Sequence, residues 1–285
     1  MTYMPGGGLV RLREVIAELS DSEARIGNYI LQHPAEFVHL TVKELAERSG
    51  GSPAAVVRLW RSLGFDSYQD FKLRVASDLQ SDINGQYTEL QFGSSFGDIL
   101  RSVEESNQKS IQNTLRLLKK ADVQEAVSVL RNAKRTLTFG VGASAIVAED
   151  FAQKLLRIGF PVYHASDFHQ GAVIATQLEP EDVLVAVSYS GTTSEVYEVA
   201  DIAKRNNAHV IAITRFSDSP LSRLATIRLY VSAVEPQVRV AATASRVAAL
   251  VIVDALFIYL ASQDKTVYET LDATRRVVQS HKLGE

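Results

Sequence analysis

The sequence predicts an all-α N-terminal domain joined to an α/β domain with a doubly wound, parallel, five-stranded sheet. Residues 9–79 carry short helical patterns and no convincing strand. Beyond residue 135, short apolar runs alternate with helical patterns, which is typical of a parallel sheet covered by helices on both faces. Strands are predicted at 136–141, 160–163, 183–188, 209–214 and 226–231. Helices of this part are predicted at 144–158, 169–177, 194–206, 240–262 and 266–281.

These patterns divide the chain into three segments. Residues 1–79 form the N-terminal domain, and residues 80–97 form a linker because glycine, serine and other polar residues replace the helical period there. Residues 98–285 form the C-terminal domain, which begins with two helices at about 98–119 and 122–133. In a doubly wound sheet, ligands bind beyond the carboxyl ends of the strands, so the loops after the strands are the candidate site.

Composition excludes several classes of protein. The 285 residues carry a net charge of −3 and no cysteine, which excludes disulfides, thiolate metal sites and cysteine nucleophiles. The first residues lack the basic and apolar regions of a signal peptide. The longest apolar stretch, 247–261, is broken by Asp254 and is shorter than the roughly 20 residues that a membrane span requires. We therefore expect a cytoplasmic protein with no membrane segment, no metal and no cofactor.

Residues 41–63 have the pattern of a helix-turn-helix. Thr41 is placed to cap a first helix, and Gly50-Gly51 provides a tight turn after it. Ser52 then caps a second helix that starts at Pro53, where the missing N–H costs nothing. In DNA-binding motifs of this kind, the second helix lies in the major groove.

The second helix has a core face and a face suited to DNA. The core stripe, at helical spacing, consists of Val56, Leu59, Trp60 and Leu63. The predicted DNA contacts are Ser52, Ala54, Ala55, Arg58 and Arg61, because small residues allow close approach to base edges and arginines reach guanine or phosphate. Residues 1–80 hold nine Lys or Arg against ten Asp or Glu, so any DNA surface is local and requires a dimer. A helical bundle without DNA binding is the alternative.

A loop rich in hydroxyl groups follows the third predicted strand. Residues 188–195 read SYSGTTSE, directly after the apolar run 183–187, and a helical pattern begins at about Ser194. Hydroxyl groups, backbone N–H groups freed around a glycine, and a helix N-terminus all favour an anion, and a phosphate is the obvious ligand. An ordinary strand-to-helix turn with many capping residues is the alternative.

A second glycine-containing turn follows the first predicted strand. Gly140 and Gly142 make a partial dinucleotide fingerprint, but Ala145 stands where the third glycine belongs. A dinucleotide is therefore disfavoured. No Gly-Lys-Ser/Thr phosphate loop occurs either, so a P-loop nucleotide site is not expected.

Several of these segments together resemble a known family. The stretches PAAVVRL at 53–59, LGF at 63–65 and YQDFK at 68–72 closely resemble the N-terminal domain of the MurR/RpiR family of bacterial transcriptional regulators. That family joins such a domain to a sugar isomerase (SIS) domain, a flavodoxin-like fold, and the resemblance covers nearly the entire chain. It implies DNA binding, a sugar phosphate ligand and self-association.

The resemblance also implies roles for individual residues. Ser188, Ser190 and Thr193 match the phosphate loop of SIS domains, with Thr192 assisting. Ser144 matches a serine that binds a sugar or phosphate oxygen. His169 is expected to contact a sugar hydroxyl. The acidic residue expected near the sugar hydroxyls is Glu235, with Arg239 paired to it or to a neighbouring subunit.

The resulting prediction is a sugar-phosphate-responsive transcriptional regulator. It binds operator DNA as a homodimer or homotetramer, represses genes of carbohydrate or amino-sugar metabolism, and has no catalytic residue. A sugar-phosphate isomerase is the alternative, with Glu235 or His169 as the base that isomerisation requires. A protein whose helical domain binds another protein instead of DNA is the third possibility.

Overall fold

The computed structural model describes residues 7–80, 93–233 and 242–279. Its N-terminal part is helical throughout, as predicted. The helices are α1 (Gly8–Val15), α2 (Asp21–Gln32), α3 (Pro34–Phe37), α4 (Val42–Ser49), α5 (Pro53–Ser62) and α6 (Tyr68–Gln80), with a 3-10 turn at Ile16–Glu18. Their apolar faces enclose one core that contains Leu12, Ile30, Phe37, Leu59 and Phe71.

Two helices, α7 (Phe96–Leu117) and α8 (Lys120–Asn132), lead into the α/β part. The strands are β1 (Thr136–Gly140), β2 (Val162–His164), β3 (Val183–Val187), β4 (His209–Arg215) and β5 (Ile227–Val231). The remaining helices are α9 (Ala143–Arg157), α10 (Phe168–Ala175), α11 (Ser194–Arg205), α12 (Pro220–Leu224), α13 (Thr243–Ser262) and α14 (Lys265–Gln279).

The five strands form one parallel sheet in the order β2-β1-β3-β4-β5. Helices α8, α9 and α13 cover one face, and α10, α11 and α12 cover the other. Because both faces are covered, the central strand β3 is buried along its whole length and consists of apolar residues alone. Gly140 pairs with Val187, so the loops after β1 and β3 leave the sheet side by side. The predicted fold class is confirmed.

Most boundaries differ from the prediction by one to three residues, and the main differences concern β2, α12 and the linker. The second strand was predicted at 160–163, but pairing begins at Val162; before it, the carbonyl of Pro161 accepts the N–H of Thr136 at 2.8 Å. The short helix α12 was not predicted. The predicted linker at 80–97 overlaps the last residue of α6 and the first two of α7, and its positions 81–92 lie outside the described residues.

Helix α13 is both long and strongly apolar. Within the described residues it is the one helix long and apolar enough to cross a membrane, with a mean hydropathy of 1.9. It packs against α7, α8 and α9, and Ile252, Leu256 and Leu260 lie in the core that covers the sheet. Its apolar character therefore serves the core, as predicted for this stretch.

Arg11 on α1 joins the helical domain to the α/β domain. The side chain is 7% exposed, and its Nη1 donates to the carbonyls of Leu63 at 3.0 Å and Gly64 at 3.3 Å. The guanidinium lies 4.6 Å from the ring centre of Phe65 and 5.4 Å from that of Phe216, which follows β4. A cation is thus held between one aromatic ring from each domain.

Polar contacts form a second link between the domains. Glu18 pairs with Arg215 at the end of β4, at 2.6 Å. The Oγ of Ser232 donates to Oε1 of Glu14 on α1 at 2.6 Å. The backbone N–H and carbonyl of Ser232 both bond to Oγ1 of Thr114 on α7, each at 3.0 Å. Since Ser232 directly follows β5, helix α1 is connected to the carboxyl end of the sheet.

Candidate functional site

The loop after β3 is held by its own hydroxyl groups. Ser188 is 2% exposed, and its Oγ accepts the N–H of Gly191 at 3.2 Å. The same Oγ lies 3.1 Å from Oγ1 of Thr193. The Oγ of Ser190 accepts the N–H and the hydroxyl of Thr192, at 3.3 and 3.1 Å. Ser188 therefore contributes mainly to the shape of the loop, whereas Ser190 and Thr193 are more accessible to a ligand.

Gly191 occupies a position that admits no side chain. Its φ of +68° lies in the left-handed region, and a Cβ would lie 2.1 Å from Oγ of Ser219 and 2.9 Å from Oγ1 of Thr214. Its carbonyl accepts the N–H of Leu221 at 3.1 Å. The loop therefore packs against the end of β4 and the start of α12, and these contacts fix its backbone path.

A cleft of about 270 Å³ lies beside this loop at the carboxyl edge of the sheet. Three segments line it: the turn after β1, the loop after β3 and the first turn of α13. The lining residues are Val141, Ala143, Ser144, Ser188, Tyr189, Ser190, Thr193, Ala242 and Ser245.

Three helices begin at the cleft. The residues before their first turns are Gly142 for α9, Thr193 for α11 and Ala242 for α13, and none of the three caps its helix with a side-chain hydrogen bond. In α9, however, the N–H groups of Ser144 and Ala145 are already bonded to the carbonyls of Val141 and Gly142, at 3.2 and 3.1 Å, so this helix contributes its dipole more than free donors. None of the nine lining residues is charged, so among the described residues the cleft offers an anion helix dipoles and hydroxyl groups. Such an arrangement favours an anion.

The structure brings most of the predicted ligand residues together. Ser144, Ser188, Ser190 and Thr193 line the cleft, and Thr192 is hydrogen-bonded to Ser190 at its margin. His169 is not among the lining residues: it is exposed near the start of α10, with its ring centre 5.9 Å from that of Phe168. Glu235 and Arg239 lie outside the described residues.

Ser245 is a cleft residue that the sequence reasoning missed. It lies in the first turn of α13 and is 3% exposed. Its side chain lines both the cleft and a small adjoining recess, which Arg246 also lines. The signal available was a hydroxyl residue at the start of a helix that follows a strand of a parallel sheet. This signal is weak without knowledge that α13 begins beside Ser144.

The helix-turn-helix forms from local interactions. The Oγ1 of Thr41 accepts the N–H of Glu44 at 3.3 Å, while Oε2 of Glu44 accepts the N–H of Thr41 at 2.8 Å, which completes a capping box. Gly50 ends α4 with a φ of +65°. The Oγ of Ser52 then accepts the N–H of Ala55 at 3.2 Å, so the second helix starts where the sequence predicts.

Helix α5 presents a narrower surface than expected. Ser52, Ala54, Arg58 and Arg61 are exposed, but the side chain of Ala55 is completely buried. The prediction that Ala55 contacts DNA is wrong, because residues 55, 56, 59 and 63 together form the core stripe of the helix.

The two exposed arginines of α5 have different surroundings. Nε of Arg58 lies 3.4 Å from Oε1 of Glu23 on α2, so part of its charge is compensated within the domain. Arg61 lies with its guanidinium 5.3 Å from the ring centre of Trp60. Arg61 forms no ion pair with any described residue, so its charge is less compensated than that of Arg58.

Comparison with known proteins agrees with both halves of the structure. The chain matches the helix-turn-helix domain of the rpiR family over residues 6–82 and the SIS domain over residues 129–259. Fold and motifs thus define a class of protein in which a DNA-binding domain is joined to a SIS domain. The chain belongs to the rpiR family of HTH-type transcriptional regulators.

Individual relatives support this assignment along the whole chain. The HTH-type transcriptional regulator YbbH of Bacillus subtilis is 35% identical and covers 98% of this chain and 100% of its own length. The solved structure of the Vibrio vulnificus NanR protein complexed with ManNAc-6P is 31% identical, with a TM-score of 0.63, over 97% of this chain and 100% of that chain. The bifunctional protein glk of Burkholderia thailandensis is 32% identical over 88% of this chain and 39% of its own length.

Proposed function

We propose that this regulator binds a sugar phosphate in the cleft of its SIS domain and reports the ligand to operator DNA. In this proposal residues 1–79 are the DNA-binding domain, residues 80–97 connect the domains, and residues 98–285 carry the ligand and associate with another copy. The protein acts in the cytoplasm as a repressor of carbohydrate or amino-sugar genes. It is a sensor and not an enzyme.

The convergence of three helix N-termini on a hydroxyl-lined cleft carries the ligand assignment. A phosphate dianion needs many donors, and Ser190, Thr193 and Ser144 supply neutral ones beside the N-terminal ends of α9, α11 and α13, whose dipoles favour an anion. The described lining residues bind the phosphate through hydrogen bonds, because none of them is a lysine or an arginine. The similar NanR structure holds ManNAc-6P, which makes an amino-sugar 6-phosphate the first candidate.

DNA binding is assigned to helix α5. Ser52, Ala54, Arg58 and Arg61 form its exposed face, and the arginines can reach bases or phosphates. Two copies are required for a palindromic operator, because one domain offers few cations. An exposed apolar stripe on α7, consisting of Phe96, Leu100 and Val103 with exposures of 74%, 54% and 50%, supports association with a second copy.

The sensor is favoured over the isomerase by the relatives and by the position of His169. Isomerisation requires a base beside the carbonyl carbon, and of the two candidate bases Glu235 lies outside the described residues. His169, one candidate base, lies elsewhere on α10. Full-length relatives such as YbbH bear the name of transcriptional regulators, which supports the same conclusion.

A contact between the domains provides the route from ligand to DNA. Ser232 lies two residues before the segment 234–241, and it bonds to Glu14 of the DNA-binding domain and to Thr114 of α7. A ligand that moves the segment after β5 therefore acts directly on α1. To regulate, it must bind the two arrangements of the domains with a difference of about 1–3 kcal/mol.

Calorimetry with a panel of sugar phosphates tests the proposal. We expect N-acetylmannosamine 6-phosphate or another hexosamine 6-phosphate to bind the wild type, and Ser190→Ala with Thr193→Val to weaken binding at least tenfold. A matched control, Ser262→Ala with Thr270→Val, removes two hydroxyl groups distant from the cleft and should leave binding unchanged. Unchanged binding in the cleft variant would contradict the phosphate assignment. Turnover of the bound sugar phosphate would establish the isomerase alternative.

A further inference from the structure

A second cavity, of about 220 Å³, lies where the helical domain meets α7 and α8. It is separate from the cleft of the SIS domain and shares no residue with it. Its walls come from α1, the turn between α5 and α6, α6, the end of α7 and the start of α8. The lining residues are Arg11, Gly64, Phe65, Asp66, Asp70, Arg74, Arg116, Lys119 and Lys120.

The cavity is strongly basic in a chain whose net charge is −3. Five cationic side chains line it against the two carboxylates of Asp66 and Asp70, which gives a local charge of +3. Asp70 is engaged by Arg74, with Oδ1 3.0 Å from Nε. Asp122, in the first turn of α8, is the next carboxylate that acts on Arg11. The carboxylates therefore compensate only part of the positive charge.

The positive charge of the cavity affects the pKa of Arg11. Burial, followed by the charge of Arg74, lowers the pKa of Arg11, because both disfavour its cationic form. Its Nε is enclosed and has no acceptor among the described residues. A guanidinium kept buried beside other cations is stabilised when an anion occupies the space between them.

The start of α8 adds a further feature that favours an anion. This helix of 13 residues begins after Lys119, which makes no side-chain capping bond. Its N-terminal end therefore offers the positive end of the helix dipole at the same place as Lys119 and Lys120. Basic side chains from separate helices and an uncapped helix start thus meet at one cavity.

We propose that this cavity binds a small polyanion of the diphosphate class and thereby holds the DNA-binding domain against α7 and α8. The volume suits two phosphate groups but not a complete sugar nucleotide within the walls. Since Arg11 and Arg74 belong to the helical domain while Arg116, Lys119 and Lys120 belong to α7 and α8, one anion bridges both parts. Such a ligand would be a second effector, distinct from the sugar phosphate.

Calorimetry on the full-length protein tests this site with inorganic pyrophosphate as the probe. We expect binding that weakens with added salt, and Lys119→Gln with Lys120→Gln should weaken it roughly tenfold, since two exposed charges are lost. The matched control is Lys134→Gln with Lys204→Gln, two exposed lysines outside the cavity, which should leave binding unchanged. ADP is the second probe, because its diphosphate fits the same cavity while its nucleoside stays outside. Comparison of the affinities for ADP and for pyrophosphate distinguishes a nucleoside diphosphate ligand from the free anion.

Three outcomes would overturn the proposal. Pyrophosphate binding that is lost in Ser190→Ala with Thr193→Val but kept in the Lys119/Lys120 variant would place the anion in the cleft of the SIS domain. Absence of pyrophosphate binding at millimolar concentration would leave the cavity without this ligand. Weaker operator binding and a smaller salt slope in the Lys119/Lys120 variant, without pyrophosphate binding, would assign the cations to DNA phosphates. The first result would support a phosphate site in the cleft, whereas the other two do not bear on whether a sugar phosphate binds there.

Discussion

Replacement of Gly191 by alanine tests the construction of the phosphate loop. The left-handed backbone at φ +68° costs an alanine about 1 kcal/mol. The new Cβ would also lie 2.1 Å from Oγ of Ser219, which caps α12 by accepting the N–H of Ser222 at 3.2 Å. Displacement of that cap costs about 1 kcal/mol, and overpacking in a tight site adds about 1–3 kcal/mol. We expect Gly191→Ala to lower the free energy of unfolding by about 3–5 kcal/mol and to abolish sugar phosphate binding.

Gly50→Ala provides the matched control. Gly50 has a similar φ of +65°, but nothing lies within 4 Å of its Cβ position, so only the backbone strain of about 1 kcal/mol applies. Urea unfolding measures both variants, and calorimetry measures ligand binding. Equal losses of stability in the two variants, together with intact ligand binding in Gly191→Ala, would refute the reasoning about the loop.

Three further predictions concern other parts of the molecule. Burial raises the pKa of Glu14 from 4.5 to about 7. Between these pH values the folded protein therefore binds more protons than the unfolded chain. The free energy of unfolding should fall by up to about 3 kcal/mol as the pH rises from 4.5 to 7. Glu14→Gln should reduce this fall, and the remainder is expected from Asp78 and Asp122, whose pKa values burial also raises; urea unfolding across the pH range measures both. Arg61→Ala should weaken operator binding by about 1–3 kcal/mol in fluorescence anisotropy if it contacts a base, and reduce the salt slope by about 1 if it contacts a phosphate. Leu100→Asp with Val103→Asp should lower the oligomeric mass in light scattering, because two charges would then lie in the apolar stripe of α7.

Each of these predictions has a result that would count against it. A wild-type stability that does not change with pH would show that Glu14 is solvated. Unaltered operator affinity and salt slope in Arg61→Ala would show that this arginine does not face DNA. An unchanged oligomeric mass in the double aspartate variant would place the contact between copies elsewhere.

Local sequence signals predicted most of the fold. The strands of the sheet were recognised because they are short apolar runs between helical patterns, and the central ones are buried on both faces. The start of α5 was recognised because Ser52 and Pro53 act within one turn of each other. The loop at 188–193 was recognised for the same reason, since its hydroxyl groups and its glycine interact within six residues.

Features that depend on packing between distant segments were not predictable. Ala55 is equally compatible with either face of its helix, and only the core around Leu59 shows that it is buried. Ser245 joins the cleft because α13 begins beside the turn after β1, a contact across a hundred residues. The position of Arg11 between Phe65 and Phe216 depends on how the two domains meet, which no local pattern contains.

The response of operator binding to ligand tests the central claim most directly. An operator duplex selected from random DNA by the protein itself can be titrated by fluorescence anisotropy with and without N-acetylmannosamine 6-phosphate. We predict that the ligand weakens operator binding of the wild type roughly tenfold, within the usual range of coupling energies, and leaves Ser190→Ala with Thr193→Val unaffected. An operator affinity that no cleft-binding sugar phosphate changes, or an equal change in the cleft variant, would contradict the claim that this cleft controls DNA binding.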